Sequence, residues 1–220
     1  MTSTAPSASS AATPRRIETL EHVAEDAAAL AALEPRFAHA LGLVGALPLR
    51  RRRDGFAALR DAIVSQQVSV AAARAITARL VAGGITGPRK VMWASDEELR
   101  LHGLSRQKIR YLRALAGARV DFAGLRAMPT DEVVETLVAI PGIGRWTAEI
   151  YAMFSLGHAD VFAPADLALQ EGARLLFALP ERPKERPMRL MAEAWAPRRA
   201  VAARLLWAYY AHAKKRDGVA

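Results

Sequence analysis

The chain has 220 residues, enough for one large domain or two small lobes with real cores. A formal charge of +9, from 31 Lys plus Arg against 22 Asp plus Glu, points to a polyanionic partner or simply to a basic protein. Cysteine is absent, which excludes disulfides, thiol catalysis and any Cys-ligated zinc or iron–sulfur site; the five histidines are scattered without metal-ligand spacing.

Residues 1–16 are mostly Thr, Ser, Ala and Pro and read as a disordered tail. Arg15 and Arg16 come last in it, the reverse of a secretory signal, and no run of about 18 apolar residues offers a membrane span. Apolar residues then recur at helical spacing. Leu20, Val23, Ala27, Leu30 and Ala31 form the first set, then Phe56, Leu59 and Ile63, then Val70, Ala73, Ile76 and Leu80. Tyr111, Leu112 and Leu115 follow, then Val134 and Leu137, then Trp146, Ile150 and Met153. Leu167, Leu175 and Leu176, and finally Leu205, Leu206 and Tyr209, mark the C-terminal helices. Pro48, Gly83-Gly84, Gly87-Pro88, Gly103, Pro129, Pro141, Gly157, Pro180 and Pro197 read as breakers. No alternating run argues a sheet, so the fold class is all-α, without an internal repeat.

Residues 131–154 read as helix, hairpin, helix around Ile140-Pro141-Gly142-Ile143-Gly144-Arg145-Trp146-Thr147-Ala148. Pro141 cannot continue a helix, and the glycines accept backbone angles that other residues resist. Bare glycines also let a phosphate approach the amides that open the second helix, where the dipole favours an anion. Gly142, Ile143, Gly144, Arg145 and Thr147 are therefore candidates for holding a phosphate. A lone carboxylate, Asp166, ends the run Val161-Phe162-Ala163-Pro164-Ala165-Asp166. It reads either as the N-cap of a helix over 167–178 or as a group placed for chemistry, and a cap at an exposed helix end can be both. Asp160 fits a loop residue better. The run Arg50, Arg51, Arg52, Arg53 reads either as a DNA clamp or as a solvated basic face.

A second block, Ile63-Val64-Ser65-Gln66-Gln67-Val68-Ser69-Val70-Ala71-Ala72-Ala73, lies upstream. Together, the two blocks resemble DNA-3-methyladenine glycosylase II, the alkylpurine branch of the helix-hairpin-helix/Gly-Pro-Asp superfamily, over residues 56–209. The resemblance implies a two-lobed fold with a central cleft: one lobe from residues 56–159, the other from 17–55 plus 160–220. It implies Asp166 as the catalytic carboxylate, Trp146, Trp207 and Tyr151 around the base, and Gln67, then Gln66, as the wedge that fills the hole left by a flipped base. Aromatic faces would bind a cationic alkylated base, at about 0.5–2 kcal/mol each.

Superfamily members that cut the strand carry a Lys where Trp146 stands, so a monofunctional hydrolase leaving an abasic site is implied. No cofactor is required; a structural Na+ or K+ would sit on the main-chain carbonyls of Val138, Ile140 and Ile143. The iron–sulfur cluster of some relatives is excluded with the cysteines. The implied partner is double-stranded DNA containing alkylated bases, met by a monomer in the cytoplasm, on the nucleoid when bound. Two departures stand out: the family often has Leu at the wedge and a Tyr after the C-terminal Trp, where this chain has Ala208. The alternatives are a non-catalytic helix-hairpin-helix DNA-binding protein and a lyase using Lys90, Lys108, Lys184, Lys214 or Lys215, none of which lies in the hairpin.

Overall fold

A computed structural model describes residues 13–217. In chain order the helices are α1 (Leu20–Leu33), α2 (Pro35–Val44), α3 (Phe56–Ser65), α4 (Val70–Ala82), α5 (Pro88–Trp93) and α6 (Asp96–Leu101). There follow α7 (Arg106–Gly117), α8 (Thr130–Val138), α9 (Arg145–Tyr151), α10 (Leu167–Leu176), α11 (Glu185–Glu193) and α12 (Arg199–Asp217). A 3-10 turn at Gly124–Arg126 precedes α8, and a π-helical turn at Ala152–Leu156 prolongs α9. Among the described residues no strand forms; one isolated antiparallel bridge joins Arg16 to His158.

Local chemistry sets the helix starts. The side chains of Thr19, Ser69, Ser95, Ser105 and Asp166 each accept first-turn amides, as good N-caps do. Pro88, a breaker in the sequence pattern, instead opens α5, as Pro35 opens α2; proline suits a first turn because its missing N–H would be orphaned there anyway.

Helices α1, α2, α10 and α12 pack on one another, and α3, α4, α5, α6 and α7 form a second group. The α8–α9 pair joins the second group where α9 meets α3. An aromatic knot stabilises the first group. Trp195 packs on Phe37 at 5.3 Å, Phe162 at 5.4 Å and Phe177 at 5.9 Å between ring centroids. Phe162 lies four residues before Asp166, so the knot anchors the turn that delivers the carboxylate.

The tail expected over residues 1–16 falls, for its first 12 residues, outside the described residues. Its last two are held rather than loose. Arg15 pairs with buried Asp26 at 2.6 Å, and its carbonyl accepts from the Ala159 amide at 2.9 Å. Ile17, next in the chain, is fully buried and donates its amide to the Gly157 carbonyl at 2.6 Å. Gly157 has φ +84, and a Cβ there would collide with the Arg51 guanidinium and the Ile17 carbonyl. His158 beside it is completely buried, with Nδ1 3.0 Å from the Thr130 hydroxyl; burial drives its pKa down to about 4.

Candidate active site

Asp166 stands at the N-terminus of α10, after a buried turn whose Pro164 carbonyl accepts from the Gln170 side chain at 2.8 Å. Its Oδ1 accepts from the amides of Ala168 and Leu169, both at 3.0 Å, and from the Trp207 indole at 3.1 Å. Its Oδ2 accepts from the Trp146 indole at 3.0 Å. The carboxylate thus caps α10 while being clamped between α9 and α12. Oδ1 has three donors and Oδ2 one, which leaves Oδ2 the oxygen with spare acceptor capacity. Asp160 takes no part: it forms a bidentate pair with Arg199 at 2.6 and 2.9 Å.

The two tryptophans differ in setting. Trp146 is 46% exposed. Trp207 is half-buried, with its ring 5.7 Å from that of Phe154. Trp146 lines a cleft of about 690 Å³ with Thr147, Ile150 and Tyr151 on one wall and residues of α3 on the other. Tyr151 contributes ring rather than hydroxyl. It is buried, its oxygen accepts from the Gly55 amide at 2.8 Å, and burial pushes its pKa up to about 12. Arg52 and Arg53 also line this cleft, a placement with no signal in the sequence beyond their charge.

The hairpin buries the side chains of Ile140 and Ile143 and leaves Pro141 and Gly144 exposed. Gly142 has φ +93, and a Cβ there would strike the Tyr111 ring, so this position requires glycine twice over. At Gly144 a Cβ would meet open space, so the bareness there lies on the outer side. Gly144 opens α9 with no side-chain cap, and the first-turn amides of Arg145, Trp146 and Thr147 have no intrahelical acceptor. Arg145 is half-exposed and donates to Glu149 at 3.2 Å; Arg189 reaches the same carboxylate oxygen at 3.1 Å. Burial pushes the Glu149 carboxyl up, and the two arginines pull it back. For a monovalent cation, the Ile140 carbonyl already accepts from the Ile143 amide at 3.0 Å; those of Val138 and Ile143 accept no backbone N–H among the described residues. Hard carbonyl oxygens at the negative end of α8 fit such an ion.

Gln66 and Gln67 prove unlike each other. Gln67 is exposed and holds φ +55, an angle uncommon outside glycine. Gln66 is tied down: its Nε2 donates to the Gly142 carbonyl at 2.9 Å. Of the two expected wedges, Gln66 is thus a strut between α3 and the hairpin, and Gln67 the projecting residue. Among the lysines, Lys108 donates to the Val64 carbonyl at 2.7 Å, and its desolvation lowers its pKa.

Two helices joined by a glycine hairpin, followed by a carboxylate-capped helix whose Asp166 is held by Trp146 of the second hairpin helix, define a helix-hairpin-helix class of fold. A family model described as "HhH-GPD superfamily base excision DNA repair protein" matches residues 61–197, and the chain belongs to that superfamily. The chain is 33% identical to DNA-3-methyladenine glycosylase 1 of Schizosaccharomyces pombe, over 71% of this chain and 72% of that protein. A crystal structure of DNA-3-methyladenine glycosidase from Bacillus halodurans superimposes with a TM-score of 0.75 at 36% identity, covering 83% of this chain and 87% of that one. The S. pombe 3-methyladenine DNA glycosylase in complex with abasic DNA gives 0.70 at 31% identity, covering 83% of this chain and 95% of that one. Among the described residues, no helix is long and apolar enough to cross a membrane.

Proposed function

We propose that this chain is a monofunctional DNA glycosylase of the 3-methyladenine glycosylase II type, which flips an alkylated purine out of double-stranded DNA and hydrolyses its N-glycosidic bond. The observation that carries this is the clamped carboxylate of Asp166, held by four N–H donors, one of which is the indole of Trp146, a residue that also lines the cleft of about 690 Å³. A protein that only grips DNA through its hairpin has no use for such a group.

The chemistry follows from its geometry. The base leaves with the bonding electrons, and C1′ of the sugar becomes an oxocarbenium-like cation. The fixed negative charge of Asp166 stabilises that cation without reorganising. Water then attacks C1′, and Oδ2, with one donor against three on Oδ1, accepts the water's proton. The product is an abasic site in an intact strand. Trp146 presents an open aromatic face to a cationic base, and cationic bases are already good leaving groups. Gln67 enters the stack in place of the flipped nucleotide, whose extrusion costs a few kcal/mol. The free first-turn amides of Arg145, Trp146 and Thr147 would hold phosphates, and the carbonyls of Val138, Ile140 and Ile143 would hold a Na+ or K+. One copy of the chain carries every group named, so a monomer suffices.

The test resolves the products. Methylated duplex treated with the protein is expected to release free alkylpurine and to stay unbroken until alkali is added, and borohydride is expected to trap no protein–DNA adduct. A trapped adduct would replace the hydrolase with a lyase.

A further inference from the structure

Arg52 and Arg53 form no ion pair with any carboxylate among the described residues, although acids stand nearby. Asp54 is taken by Arg126 at 2.6 Å, and Asp61 by Arg60 at 2.8 Å. A solvated basic face would need no more than this, but the chain here is strapped at three points. The Leu49 carbonyl accepts from the Arg204 guanidinium at 3.1 and 3.4 Å. The Arg52 amide donates to the Phe154 carbonyl at 2.9 Å, and the Gly55 amide to the Tyr151 hydroxyl at 2.8 Å. Arg204 is 1% exposed, and a buried guanidinium is costly unless its donors are met, so its engagement with a loop carbonyl fixes the loop firmly. Two guanidinium groups approach the Phe154 ring, Arg204 at 4.8 Å and Arg52 at 5.3 Å from its centroid.

The strap therefore places two exposed cations, neither paired with an acid of the described residues, on the wall of the cleft that holds Trp146. A cationic base gains nothing from them. A flipped nucleotide, however, carries its own phosphates with it to the rim. We propose that Arg52 and Arg53 form a second phosphate site, separate from the hairpin, which takes a phosphodiester flanking the flipped nucleotide. The proposal rests on the cleft being the base pocket.

The experiment uses the full chain and a duplex carrying a non-hydrolysable tetrahydrofuran abasic analogue, which has the flipped sugar and phosphates but no base. The Arg53 side chain is exposed and bonds to no acid of the described residues, so Arg53→Ala preserves the fold. The Arg52→Ala/Arg53→Ala double variant completes the pair, with thermal melts as the folding control. Affinity of the double variant for the analogue duplex is expected to fall about tenfold, and the slope of log K against log salt by about one for each phosphate no longer held. Neutral methylphosphonates at the two phosphates flanking the analogue are expected to weaken the wild type by a similar factor and the double variant no further. Fully additive losses would overturn the site, because they would make the arginines a diffuse field. A loss seen with a lesion duplex but not with the abasic analogue would also overturn it, in favour of a bond to the base edge. Neither result touches the glycosylase reading, which falls only if the wild type releases no damaged base.

Discussion

Asp166 caps a helix and, on the proposed mechanism, carries the chemistry as well. As an N-cap it satisfies two orphan amides of α10; as the end point of two indole N–H groups it is fixed in rotation as well as position. The residue type and its place after Pro164 are legible in the sequence. The clamp is not, because a sequence says that a tryptophan is present and not which edge it turns. Trp146 and Trp207 read as flat plates for a base; both also present their N–H edge to the carboxylate. Trp146→Phe separates the two uses, since the ring remains and the donor to Oδ2 is removed. A hydrogen bond to a charged group contributes about 1.5–3 kcal/mol, so base release is expected to slow about tenfold or more while affinity for undamaged duplex stays unchanged. Single-turnover rates and duplex titrations at one salt concentration check this.

At the scale of elements, the hairpin is the most legible part. Helix, Pro-Gly-Ile-Gly turn and second helix stand where the pattern places them, as α8 and α9. Helices α2, α5, α6 and α11 lie outside the apolar sets taken from the sequence: α5 and α6 span only six residues each, and α2 opens at a proline. Long-range ties are equally hidden. The Gln66 side chain spans from α3 to the hairpin, 76 residues away in sequence, and no local pattern encodes such a bond. It ties the residue before the projecting Gln67 to the hairpin loop proposed to hold the DNA backbone. Gln66→Ala is expected to slow release from a stably paired lesion about fivefold, the worth of one neutral hydrogen bond. It should slow release less from a mispaired lesion, whose extrusion costs less. Equal effects on both substrates, measured under single turnover, would reduce Gln66 to a stabilising strut with no part in flipping.

For the whole molecule, the all-α class and the central cleft follow from composition and family resemblance, whereas the tie-down of the N-terminus does not. Small polar residues mask the fact that Arg15, Arg16 and Ile17 are pinned beside His158. That histidine makes stability depend on pH. Burial lowers its folded pKa to about 4, below the ordinary value of 6.5. Above about pH 6.5 both states are neutral and no penalty applies. As pH falls from about 6.5 to 4, the unfolded chain takes a proton that the folded one refuses, and stability is lost, by at most about 3 kcal/mol. Thermal melts across this range should show the wild type losing stability more steeply than His158→Gln, with the difference vanishing above about pH 7.

At the centre of the proposed mechanism, a clamped Asp166 stabilises the sugar cation left at C1′ and accepts the proton of the attacking water. Asp166→Asn removes the charge, and an amide nitrogen turned toward Trp146 would face a donor instead of accepting from it. Single-turnover release of free base from methylated duplex, wild type against Asp166→Asn, tests this most directly. The variant is expected to release base at least about a hundredfold more slowly, while binding an abasic-analogue duplex as tightly as the wild type or tighter. Near-wild-type release by a folded Asp166→Asn protein would contradict this mechanism.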